Sequence, residues 1–94
     1  MIKNNIAILQ MPGFKKAYKR LHASQKNTTN KAIATIVENP LLGEAKKGDL
    51  AGLYVYKFNC VNQEFFLAYE FDPETRVLMA LGVHENFYRD LKRS

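Results

Sequence analysis

Apolar and polar residues alternate with a period of two over the second half of the chain. Residues 53–60 (LYVYKFNC), 64–71 (EFFLAYEF) and 76–83 (RVLMALGV) are rich in aromatic and β-branched side chains, and such runs predict three strands. Val61-Asn62-Gln63 makes the first connection. Asp72-Pro73-Glu74-Thr75 makes the second, with Asp and Pro where a type I turn prefers them. Connections this short force antiparallel pairing, because a parallel return needs a longer crossover. In the middle strand the alternation turns Phe65, Leu67, Tyr69 and Phe71 inward and leaves Glu64, Phe66, Ala68 and Glu70 on the other face.

The first half keeps a different period. Residues 5–10 (NIAILQ) form a short β-branched run that predicts a first strand, and Pro12 suits the first turn of a helix. Phe14, Ala17, Tyr18 and Leu21 recur at helical spacing, with Lys15, Lys16, Lys19 and Arg20 on the remaining faces. Thr28, Thr29 or Asn30 can cap a second helix whose buried stripe is Ala32, Ile33, Ile36 and Val37. Asn39-Pro40 ends it, since a residue before proline avoids helical geometry. Residues 40–52 (PLLGEAKKGDLAG) read as a loop, and the tail from His84 as a final helix of about two turns. The order is β-α-α-β-β-β-α: one α+β domain, residues 1–94, with two helices packed on one face of an antiparallel sheet. Helices on one side leave the second face of the sheet open to a ligand.

Charge adds a second feature. The net charge is +5, and up to Val37 the chain carries seven Lys or Arg and no carboxylate. A field of one sign favours a polyanion or an acidic protein partner, and it also fits a solvated helix face. No apolar run is long enough to span a membrane, and the N-terminal stretch lacks the cleavage site of a secretory signal. The single cysteine, Cys60, suits a reducing cytoplasm and reads as a buried small hydrophobe within a strand.

The chemistry-bearing residues concentrate at the end. Two histidines and one cysteine make no zinc cluster, and no glycine-rich phosphate loop is present, so neither a metal nor a cofactor is expected. His22 ends a basic helix and needs no role beyond solvation. His84 follows the last strand, and His84, Tyr88 and Lys92 share one flank of the tail helix by their spacing of four. These residues can be a plain helix start with a partly buried aromatic, or part of a site that handles phosphate. Metal-free RNA cleavage needs a proton acceptor, a proton donor and cations around the phosphorane. Histidine suits the proton transfers near neutral pH, with Lys57, Arg76, Lys46 and Lys47 as candidate cations.

The layout KKGDLAGLYVYKF leading into the meander, with the ending LMALGVHENFYRDLKR, resembles the RelE/ParE superfamily of toxins from bacterial type II toxin–antitoxin systems. The resemblance covers nearly the whole chain and implies a RelE-like fold with a curved antiparallel sheet. In the RelE branch it implies a ribosome-dependent mRNA endoribonuclease that inhibits translation, with the ribosome, mRNA and a cognate antitoxin as partners. In the ParE branch it implies poisoning of DNA gyrase without catalysis; a degenerate, non-toxic binding module is a third possibility. The family pattern is matched at Lys47, Lys57, His84 and Tyr88; with the candidate cations added, His84, Tyr88 and Lys57 are the expected catalytic set, and Lys46, Lys47, Arg76 and Arg89 the expected phosphate-binding set. Val55 stands at one strand position where the family has a basic residue, and Phe66 where it has an arginine.

Overall fold

The computed structural model describes residues 5–83. His84, Tyr88, Arg89 and the expected final helix lie outside them. Five strands form one sheet in the order β1-β5-β4-β3-β2, where β1 is Ala7–Gln10, β2 Glu44–Ala45, β3 Tyr54–Asn59, β4 Glu64–Asp72 and β5 Thr75–Gly82. β3, β4 and β5 are the antiparallel meander the alternation predicts. β1 adds a parallel pair on β5, with Ala7 opposite Thr75 and Gln10 opposite Leu78, so the sheet is mixed. The two helices between β1 and the meander provide the long crossover that parallel pairing requires.

Helix α1 spans Pro12–Lys19 and α2 spans Ala23–Glu38. α2 starts several residues before the expected Thr28–Asn30 cap: His22 is its N-cap, and the His22 backbone N–H donates to Gln25 Oε1 at 2.8 Å. Thr29 is therefore a mid-helix residue, buried against the sheet. The 40–52 loop is also more ordered than glycine content suggests. It holds 3-10 turns at Pro40–Leu42 and Gly48–Leu50, with β2 between them.

The main core lies between the helices and the sheet. Phe65, Leu67, Tyr69 and the half-buried Phe71 of β4 face Phe14 of α1, Ile36 of α2, and Leu78 and Leu81 of β5. Cys60 is fully buried in this cluster, and burial pushes its thiol up, opposed by the Thr29 and Thr28 hydroxyls. Large apolar side chains removed from water at about 1.5–3 kcal/mol each supply the driving force here.

The second face is not the bare surface that a one-sided helical layer implies. Leu53, Val55, Phe66, Ala68 and Ala80 form a small buried cluster on it, with Leu50 and Met79 packed against them. Two local features create the cluster. The loop folds back on itself, Lys46 N–H donating to the Leu53 carbonyl and Leu53 N–H to the Leu50 carbonyl, which brings Leu50 over the sheet. A β-bulge then adds Met79 to β5, opposite the Ala68–Tyr69 step, and puts Met79 beside Ala80 on this face.

Candidate active site on the sheet face away from the helices

The side of this face nearest β2 and β3 holds a hollow of about 110 Å³ lined by Glu44, Lys46, Val55, Lys57, Glu64 and Phe66. Strand register explains why six residues from three segments meet. Glu44 is paired with Val55, and Lys57 with Phe66, and directly paired residues share a face of the pleat. Lys46 lies two residues beyond Glu44 and returns to the same side. Asn59 pairs with Glu64, which sets Glu64 next to Phe66 along the same edge.

Among the described residues, the charges in the hollow balance. Lys46 Nζ is 3.4 Å from Glu44 Oε1, and Lys57 Nζ is 3.8 Å from Glu64 Oε2. The lysines differ in setting: the Lys46 side chain is 16% exposed and that of Lys57 61%. The apolar floor is Val55 and Phe66, both members of the buried cluster. Phe66 thus fills with packing the place where the family resemblance expects a cation.

Of the site residues expected from sequence, the fold brings Lys46 and Lys57 together. Lys47 is exposed beside them as the N-cap of the Gly48–Leu50 turn. His84, Tyr88 and Arg89 follow β5 in sequence, outside the described residues. Arg76 does not join the group, and its assignment as a phosphate ligand is corrected. It is 4% exposed and sits with the helices, its Nε and Nη2 donating to the carbonyls of Ile36 and Val37 at 3.4 and 2.9 Å, and its Nη1 to those of Asp72 and Thr75. A buried guanidinium with four of its five N–H donors on backbone carbonyls has little to offer a phosphate.

Sequence reasoning missed Glu44 and Glu64. The signal for Glu64 was its place beside Phe66 at the start of β4. Glu44 carried none, because a two-residue strand shows no periodicity.

The protein-family model for the ParE-like toxin of type II bacterial toxin–antitoxin systems matches residues 8–92. This chain belongs to that family. It is a toxin of the RelE/ParE kind from a type II toxin–antitoxin system, and solved structures of such toxins share its fold. The intact E. coli RelBE toxin–antitoxin complex gives a TM-score of 0.67 at 16% identity, over 85% of this chain and 98% of that one. A double arginine-to-alanine variant of E. coli RelE in the free state gives 0.71 at 13% identity, over 94% and 93%. A YoeB/ParE toxin from Agrobacterium tumefaciens gives 0.66 at 17% identity, over 84% and 99%. No curated protein matches the sequence. Within the ParE-like family, then, this chain carries two lysines and two carboxylates over an apolar floor.

Proposed function

We propose that this toxin is a metal-independent, ribosome-dependent mRNA endoribonuclease whose site is the hollow of Lys46, Lys57 and Glu44, completed by His84 and Tyr88. The observation that carries the reading is the convergence of cations and carboxylates in one hollow on the face away from the helices. Gly82, two residues before His84 in sequence, is paired with Phe66 on the floor of that hollow.

The chemistry follows from the residue types. A carboxylate, Glu44, takes the proton of a ribose 2′-hydroxyl as the oxygen attacks the adjacent phosphorus. His84 gives a proton to the departing 5′-oxygen, leaving a 2′,3′-cyclic phosphate and a 5′-hydroxyl, and Tyr88 stacks on a neighbouring base. Lys57 and Lys46 hold the phosphorane's charge, with Lys47 and Arg89 on flanking phosphates. The existing ion pairs do not block this. An exposed pair such as Lys57–Glu64 contributes about 0–1 kcal/mol, less than a phosphate gains from a direct lysine contact in a desolvated site.

The E. coli RelBE structure holds a toxin together with its antitoxin, and we assign this chain a cognate antitoxin likewise. The ribosome and mRNA are the targets in this reading. Mapping mRNA 5′ ends after brief induction tests it. Codon-phased cuts that vanish in Lys57→Ala and His84→Ala, with folding and antitoxin binding intact, are expected. Growth arrest without such cuts would sink the nuclease reading.

A second reading, a gyrase-poisoning toxin without catalysis, is favoured by one observation: the hollow's charges already balance, and Phe66 supplies packing in place of a cation. It requires that His84→Ala stay toxic and that supercoiling by gyrase be inhibited. A chain without growth effect when expressed alone would instead be a binding module.

A further inference from the structure

We propose that Tyr69 is the positioning residue for Glu44 and Lys46, acting through Gly43 from the opposite side of the sheet. The inference rests on the nuclease reading for its catalytic consequence, but its geometry stands independently. Tyr69 is fully buried among the helix-facing residues of β4. Its hydroxyl donates to the Pro40 carbonyl at 2.6 Å and accepts the Gly43 N–H at 3.0 Å. Both groups belong to the 3-10 segment that leads into β2, and one buried hydroxyl satisfies them together.

Gly43 is needed for this contact. A Cβ built there would lie 2.5 Å from Tyr69 Oη and 3.0 Å from two ring carbons, so the phenol occupies the space a side chain would take. The ring cannot yield, because it packs against Tyr54 and Phe71. Gly43 immediately precedes Glu44, and β2 is only two residues long, held to β3 by the pairs Glu44–Val55 and Ala45–Tyr54. A ladder that short holds register weakly, and a slip of one residue would turn Glu44 and Lys46 to the other face. The Tyr69 clamp fixes the register from outside the ladder. Glu44 and Lys46 are thus set by a phenol that never touches the substrate.

The test is a double-mutant cycle on programmed ribosomes with Tyr69→Phe and Glu44→Gln, joined to amide hydrogen exchange and carbon NMR of the Glu44 carboxyl. Tyr69→Phe keeps the ring and removes both hydrogen bonds. It is expected to lower kcat about tenfold or more with KM little changed, and to cost clearly less once Glu44 is already Gln, the remainder acting through Lys46. Gly43→Ala should reproduce the effect by displacing the segment. Additive losses for Tyr69→Phe and Glu44→Gln would overturn the proposal, since a general loss of stability does not depend on Glu44. If the wild type cuts no RNA, the nuclease reading falls and the NMR arm decides. Faster Gly43 exchange with a shifted Glu44 carboxyl signal supports the clamp, and an unchanged Gly43 and Glu44 in Tyr69→Phe overturns it.

Discussion

Arg76 Nη2 donates to the carbonyl of Val37 at 2.9 Å, joining the start of the last strand to the last turn of α2. Ile36 and Val37 lie in the part of a helix where carbonyls have no partner of their own, and a cation there also meets the favourable end of the helix dipole. The stack of Arg76 over the Phe71 ring, 5.6 Å from its centroid, adds to the hold. Replacing Arg76 by Met leaves those carbonyls buried and unsatisfied, and we expect a loss of about 2–4 kcal/mol. Denaturant unfolding measures it. Because Arg76 faces the helices, the nuclease reading expects RNA cleavage by the folded fraction to be unchanged.

The hairpin between β3 and β4 carries a correctable strain. Val61 and Asn62 both have positive φ, 50° and 66°, and the Cys60 and Gln63 backbones bond reciprocally around them. A two-residue loop with this backbone favours Asn-Gly, and a β-branched residue at positive φ is disfavoured. Val61 is also 55% exposed, so its side chain gains little from packing. Val61→Asn should stabilise the fold by about 0.5–1 kcal/mol. A raised denaturant midpoint at unchanged m-value is the expected result.

These two residues also mark what could be read in advance. The alternation of residues 64–71 gave the helix-facing set of β4, because a period of two is a local property. Arg76 looked like a surface cation at a strand start; only the arrival of α2, forty positions away in the Ile36 contact, makes it a buried cap. The early start of α2 was hidden because ASQKNTTN offers no apolar stripe. The bulge at Met79 and the two-residue β2 depend on pairing partners, which no local window contains. Of the site, the lysines were legible as charge, whereas the carboxylates required the register.

Tyr69 gives the stability a dependence on alkaline pH. Burial pushes its phenol up, only partly opposed by the Gly43 N–H bond. An unfolded tyrosine releases its proton near pH ~10, while the folded one holds it. The contribution is therefore complete below that pH and is lost as pH rises through the folded value. Unfolding free energies of the wild type and Tyr69→Phe should converge above about pH 10. A constant difference would show that the phenol's ionisation is not coupled to folding.

On the nuclease reading, the exposed Lys15, Lys16, Lys19 and Arg20 along α1 and the residue that ends it supply a separate, salt-sensitive attraction to RNA. Replacing Lys15 and Lys19 by Ala should weaken RNA binding equally across sequences and flatten the plot of log K against log salt by about 1.4–1.8. Binding titrations at several salt concentrations measure the slope. A slope unchanged from wild type would place the RNA contacts elsewhere.

The parallel rung between β1 and β5 also sets a timetable. Synthesis delivers Ala7–Gln10 early and their sheet neighbour Thr75–Gly82 late. AILQ, with Ile8 and Leu9 still open to solvent when folded, stays without its β5 partner until Thr75–Gly82 has been made. Closure of so distant a contact is slow compared with hairpin formation, so the meander can zip first and β1 dock onto it afterwards.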